Sequence, residues 1–185
     1  MKPLELDPIM LSEILSLGQL KSYPQGYLWE EKKPRTFPLL FIRKGAIRAY
    51  SKGDNGEITH YISIEGEFCC IDSFFSGVPT SMHMEVLEDS EVTEIYRDAL
   101  HNLYKKQPAA QQFGRLLAEY QIFVVETNYK IISQKSAKER YRLFQQLYPH
   151  INGRFPLKHT ASWLQIDQAT LSRVRANKQR QVNLH

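Results

Sequence analysis

From Ser22 to Tyr96 the hydrophobic positions come in runs of strand length, punctuated by Gly45, Gly56, Gly66 and Gly77 at intervals of ten or eleven residues. Short strands between evenly spaced turns predict a sandwich or barrel. Leu39–Ile42 and Ala46–Tyr50 flank Lys44-Gly45, while Ala46–Tyr50 and Ile58–Ile64 flank Gly53-Asp54-Asn55-Gly56. Such steps tolerate positive φ, so both are read as hairpin turns. A short helix is expected before this unit, capped by Asp7 with Pro8 in its first turn, and another after it over Asp98–Lys106.

From Pro108 the period changes. Phe113, Leu117, Tyr120, Val124, Thr127 and Ile131 recur at intervals of four, three, four, three and four, the spacing of a coiled-coil seam. A helix of about 25 residues spans roughly 37 Å. That length exceeds what packing inside so small a domain requires, so these six side chains are expected to form the interface with a second copy of the chain. Packing of the helix on its own β unit is the alternative. Ser136–Tyr148 reads as a further amphipathic helix with Tyr141, Phe144 and Leu147 on one side, followed by the Asn152-Gly153 turn and by Pro156 at the start of another helix.

Leu157–Ala176 holds two short helical runs hinged at Gln165-Ile166-Asp167. Ala161 is small where two crossing helices must approach, and Leu164, Ile166, Leu171 and Val174 form the apolar set that glues them, so five positions match a helix-turn-helix. Asp167 is placed to cap the second helix. Gln165 stands where glycine is favoured for a left-handed turn, at a cost of roughly 1 kcal/mol, and Thr160 stands where an aliphatic residue is common. A plain αα-hairpin is the bland reading of the same pattern.

Charge sharpens it. Of 24 Lys/Arg and 20 Asp/Glu, residues 136–185 hold nine basic side chains (Lys138, Arg140, Arg142, Arg154, Lys158, Arg173, Arg175, Lys178 and Arg180) against Glu139 and Asp167. That segment carries +7 and the remaining chain −3, so one end is built to meet a polyanion. With 42% hydrophobic and 24% charged residues the composition is that of a globular protein. Met1–Met10 has no apolar core of an export signal and no stretch reaches eighteen apolar residues, so a cytoplasmic protein without membrane contact is expected. Cys69 and Cys70 are adjacent, which suits neither a disulfide nor a metal site; they are read as small core and turn residues.

A β-roll, a long helix and a basic helix-turn-helix, in that order, is the layout of the cyclic-AMP receptor/FNR family of bacterial transcription regulators, which this chain resembles over nearly its whole length. The resemblance is carried by Gly66-Glu67-Phe68, by Asp72–Gly77 with Glu85–Ser90, and by Lys135–Tyr141 leading into Pro156-Leu157-Lys158 and Thr170-Leu171-Ser172-Arg173. It implies an α+β fold with a cyclic-nucleotide-binding-like roll (a double-stranded jelly roll) over residues 1–107, a dimerisation helix over 108–135 and a helix-turn-helix domain over 136–185.

It also implies roles. In the cassette of cyclic-AMP-binding members a glutamate holds the ribose, and an arginine followed by serine or threonine holds the phosphate. Glu67 matches the first and Thr80-Ser81 stands where the second would be, giving Glu67, Thr80 and Ser81 as the effector pocket. Thr80 lacks the fixed charge of an arginine, and no Lys or Arg occurs from Cys69 through Glu94. An effector other than cyclic AMP, or none, follows from that departure. Two vicinal cysteines cannot ligate an iron–sulfur cluster, so no cofactor is expected. In the reading head, Gln168, Ala169 and Arg173 would face base edges of double-stranded DNA, and Lys158, His159, Thr170 and Ser172 would hold the backbone. Activation would add RNA polymerase as a partner, on a surface the sequence does not mark. From a different class, His60, His83 and Glu85 on strands could hold a metal in a cupin-type enzyme, although the paired H-x-H spacing is missing and no catalytic motif accompanies them.

Overall fold

The computed structural model describes residues 6–29, 36–54 and 56–182. Asn55 of the expected turn, the side chains of Lys178 and Arg180, and the chain ends lie outside the described residues. The elements are α1 (Pro8–Ser16), β1 (Gln19–Tyr23), β2 (Leu28–Trp29), β3 (Leu39–Gly53), β4 (Gly56–Ile64), β5 (Phe68–Cys69), α2 (Ile71–Ser76), β6 (His83–Ile95), α3 (Arg97–Lys106), a 3-10 turn at Pro108–Ala110, α4 (Gln111–Ile132), α5 (Ala137–Leu147), α6 (Leu157–Leu164) and α7 (Gln168–Val182). They pack as two units. One holds the chain up to Tyr50 together with Ile62–Phe123; the other joins Ser51–Tyr61, the tip of the β3–β4 hairpin, to the chain from Val124 onward.

In the first unit the strands form a sheet in the order β1-β6-β3-β4, with β2 also on β6 and β5 also on β3. β1, β2 and β3 run antiparallel to β6. The expected cap of α1 is present: the Asp7 carboxylate accepts from the Met10 N–H, and Pro8 fills the first position, where no N–H partner is needed. Lys44-Gly45, by contrast, is no hairpin turn. β3 runs unbroken through it for 15 residues and pairs with β6 on both sides, Ile42 opposite Val92 and Ala46 opposite Glu88, with the register slipping between. Gly45 sits at φ +90° in this bulge, and a Cβ there would lie 2.7 Å from the Asp89 carbonyl oxygen and 2.8 Å from Ser90 Cα. Positive φ serves bulges as well as turns, which is why the sequence signal misleads. Gly53 and Gly56 do end β3 and begin β4.

The core of this unit gathers Ile14, Leu39, Phe68, Ile71, Phe74, Ile95, Leu100, Leu103, Phe113 and Leu117, with Tyr120 half-buried against it. This corrects the expected dimer seam. Phe113 and Leu117 on α4 are wholly buried in their own unit, and Val124, Thr127 and Ile131 further along the helix are buried within the chain as well. A heptad stripe reports that a face is covered but not by what. Here the chain covers it itself.

In the second unit Phe144, Tyr148 and Trp163 form a ring cluster with centroids 4.9–5.5 Å apart, joining α5 to α6. α5 begins with a capping box: Ser136 Oγ accepts from the Glu139 N–H and Glu139 accepts from the Ser136 N–H, so two donors of the first turn are satisfied reciprocally. Gly153 takes φ +87° in the expected turn, and Pro156 occupies the N-cap position of α6.

Candidate nucleic-acid interface

α6 and α7 are joined by Gln165-Ile166-Asp167. Gln165 adopts the left-handed conformation at φ 52° and ψ 50°, the position where glycine was the favoured residue. The Ile166 N–H reaches back to the Ala161 carbonyl and the Leu171 N–H to that of Asp167. Arg140 stabilises this strained corner from α5, because its Nη1 donates to the carbonyls of both Leu164 and Gln165 while Nε donates to Gln134. A cation at a helix C-terminus meets the unpaired carbonyls and the negative end of the helix dipole. The sequence counted Arg140 among the charges facing a polyanion; it is instead committed to the α6–α7 turn.

Ala161, Leu164 and Leu171 are buried between the helices, and Ile166 and Val174 are half-buried. On the opposite side of α7, Gln168, Ala169, Ser172 and Arg173 are exposed. Offsets of one, four and five residues place these four on one helix face. Thr170 is half-buried and Lys158 exposed. Arg173 lies along its own helix, Nη2 donating to Thr170 Oγ1 at 3.1 Å and Nε to the Ala169 carbonyl at 3.4 Å. One proposed contact is lost: His159 is 3% exposed on the inner side of α6 and cannot reach a phosphate. Its place between Lys158 and Thr160 gave no hint of this, because α6 buries five of the six residues from His159 to Leu164, Trp163 among them.

In the sheet, directly opposed residues share a face. Trp29, Ile47, Ala49, Met84 and Val86 therefore line one face and are all buried. The other carries Arg48, Tyr50, His83 and Glu85. Arg48 is 1% exposed; its Nη1 donates to Glu85 Oε2 at 2.9 Å, and its guanidinium lies 4.3 Å from the Tyr50 ring centroid, against which His83 stacks. Arg48 belongs to β3 and so lies outside the Cys69–Glu94 stretch that carries no Lys or Arg. A buried guanidinium requires a counter-charge, and Glu85 supplies it. Glu85 and His83 are thus occupied, His60 contacts Ser51 Oγ, and among the described residues no group of three His, Cys, Asp or Glu side chains could hold a metal. Nor is any described helix long and apolar enough to cross a membrane.

Glu67 closes the turn between β4 and β5, its Oε2 accepting from the Ile64 N–H at 3.1 Å. Burial pushes its carboxyl up to about 7, the Ile64 N–H opposing and the charge of Glu65 adding to the shift. A folded-state value above the ordinary one means that the proton is held more tightly in the fold. The resulting stabilisation is complete below about pH 4.5 and is lost as pH rises through about 7. Thermal unfolding at pH 5 and pH 8 should therefore show wild-type Tm dropping by roughly 5 °C more than that of Glu67→Gln, which cannot ionise. Equal drops would remove the shift. Thr80 and Ser81 lie before β6, where the Thr80 hydroxyl accepts from the Met82 N–H.

Residues 20–107 match the model of the cyclic nucleotide-binding domain family. No curated protein sequence matches the chain. Among solved structures it is similar to the c-di-GMP-responsive global regulator CLP of Xanthomonas campestris, with a TM-score of 0.75 and 14% identity over 95% of this chain and 93% of that one. FixK2 from Bradyrhizobium japonicum aligns at TM-score 0.76 and 14% identity over 89% and 85% of the two chains. A transcriptional regulator of the Crp/Fnr family from Eubacterium rectale aligns at 0.70 and 17% over 95% and 85%. At these identities the likeness is one of fold.

Proposed function

We propose that this chain, whose residues 20–107 match the cyclic nucleotide-binding domain family and whose fold is similar to those of Crp/Fnr-type regulators, is a sequence-specific, DNA-binding transcription regulator that acts as a homodimer. The observation that carries this reading is the division of α7: Leu171 is buried against α6, while Gln168, Ala169, Ser172 and Arg173 stand together in solvent. α6 and α7 then serve as a helix-turn-helix with α7 in the major groove. Arg173 matches the two acceptors of a guanine, Gln168 the donor–acceptor pair of an adenine, and Ala169 a thymine methyl. Lys158, Thr170 and Ser172 hold phosphates, setting register without reading sequence.

The second copy docks on a face of α4 other than the seam read from the sequence. Ala118, Ile122, Val125 and Tyr129 follow one another at intervals of four, three and four and are exposed, the last three by 62%, 57% and 68%. A 22-residue helix with one heptad stripe buried by its own chain and a second stripe of apolar residues in water is matched by an identical helix. The sensor role falls to an effector other than cyclic AMP: Thr80 brings no charge to the cassette, and the buried Arg48 is neutralised by Glu85.

Selection of bound duplexes from random DNA by the full-length protein tests the whole reading. The expected product is a two-fold symmetric consensus whose half-sites lie about 10 bp apart, with guanine and adenine among the defined positions. Enrichment of no sequence at low salt, or of an unpaired half-site, would refute it.

A further inference from the structure

The last carbonyls of a helix have no partner within it, and two of those ending α6 are taken by one side chain of α5. Arg140 Nη1 donates to the Leu164 carbonyl at 3.0 Å and to the Gln165 carbonyl at 3.3 Å, while its Nε donates to the Gln134 carbonyl at 3.1 Å. Gln134 is itself held to the end of α4. Its N–H donates to the Ile131 carbonyl at 3.2 Å and its Nε2 to the Lys130 carbonyl at 2.8 Å. A hydrogen-bonded path therefore runs from the last turn of α4, through one guanidinium, to the corner between α6 and α7. Every residue on it belongs to the unit that holds the chain from Val124 onward.

The corner is where the side chain and the backbone disagree. Gln165 holds φ 52° and ψ 50°, a conformation that glycine adopts freely and a residue with a Cβ disfavours. Those two angles set both the direction of the Gln165 carbonyl and the course of the chain into α7, which begins three residues later. A rigid guanidinium fork fits two carbonyls only while they keep one arrangement, which a compact ammonium would not demand. We propose that Arg140 is a positioning residue for base reading: by holding the Gln165 corner from the last turn of α4, it sets the angle at which α7 presents Gln168, Ala169 and Arg173, without itself touching DNA. This rests on the DNA-binding function above. A corner released from Arg140 spends only a fraction of its time in the reading arrangement, which lowers apparent affinity for a matched sequence by that fraction. Binding to phosphates on random DNA has no such requirement.

The test uses the full-length protein, the duplex recovered by selection, and random DNA. Arg140→Gln is expected to lower affinity for the selected duplex about 10-fold while leaving affinity for random DNA and its salt slope unchanged. In the free protein it is expected to speed hydrogen exchange at the Ile166 amide, which closes the corner on the Ala161 carbonyl, by about 5-fold. Gln165→Gly alone is expected to bind both DNAs within about 2-fold of wild type. Added to Arg140→Gln, it is expected to bring affinity for the selected duplex back to within about 3-fold of wild type, because glycine keeps that conformation without help. Should Arg140→Gln fail to fold, Arg140→Lys keeps the charge but not the fork, and is expected to cost about 3-fold on the selected duplex with the same relief by Gln165→Gly. Equal losses on both DNAs with a flatter salt slope would make Arg140 a phosphate contact and overturn the proposal. Wild-type affinity in the Arg140 variants, or a loss that Gln165→Gly does not relieve, would overturn it as well. A wild-type protein that selects no duplex would instead overturn the DNA-binding reading, before any variant is made.

Discussion

In the homodimer proposed above, Val125→Glu is expected to separate the two copies without unfolding either. Val125 is largely in solvent in the isolated chain, so the fold loses almost nothing: a surface substitution of this kind changes stability by roughly 0.5 kcal/mol or less. In a two-fold pair the same substitution appears twice on one interface, placing two carboxylates in an apolar stripe with no cation to meet them. Desolvating an unpaired charge costs at least several kcal/mol, enough to weaken association by about 100-fold or more. The effect on operator binding is larger still, because two linked heads gain on the order of 10² to 10⁴ in affinity over one. Sedimentation equilibrium and operator titration read the two consequences separately.

The counterpart Leu117→Ala distinguishes the exposed stripe from the seam read off the sequence. Leu117 is wholly buried in the core of its own unit. Its truncation is expected to cost about 2–5 kcal/mol of folding stability while leaving the folded protein dimeric. If Val125→Glu sediments as a dimer and Leu117→Ala as a folded monomer, the assignment of the two faces is reversed.

These two residues also show where sequence reading reaches its limit. The 4-3-4 periodicity of α4 is visible at both stripes, since Ala118, Ile122, Val125 and Tyr129 obey it as well as Phe113, Leu117, Tyr120, Val124, Thr127 and Ile131 do. Periodicity encodes which positions avoid water. It is silent on whether the cover comes from the same chain, and the larger, more regular stripe proved to be the one the fold consumes. Local signals fared better: Asp7 with Pro8 and Gln165 in the left-handed corner act over four residues or fewer, and each is where the sequence places it. Gly45 was legible as a site of positive φ but not as a bulge, because that distinction depends on β6, some 45 residues away. The burial of His159, the commitment of Arg140 to the α6–α7 turn and the contacts of Ser162 with Glu57 and Thr59 are likewise set by partners 24 to 105 residues distant or by neighbouring helices. No window of sequence contains them.

Arg173→Ala is expected to remove sequence discrimination at one base pair of each half-site while leaving general DNA affinity nearly intact. Arg173 is exposed on the reading face, and its guanidinium rests on Thr170 Oγ1 and the Ala169 carbonyl of its own helix. Both contacts are solvent-exposed, so in the proposed complex the side chain is free to exchange them for O6 and N7 of a guanine. A bidentate arginine–guanine pair discriminates by about 1–3 kcal/mol, or roughly 5- to 150-fold, against the other bases. In the variant that position of the selected consensus becomes indifferent, and the salt slope is held by the remaining phosphate contacts. Lys158→Ala gives the opposite pattern: all duplexes weaken alike, the consensus is unchanged, and the slope flattens by about one ion. Repeating the selection with each variant separates the two. If Arg173→Ala weakens random and selected DNA equally, the guanidinium is a phosphate contact, and base reading by α7 must rest on Gln168 and Ala169.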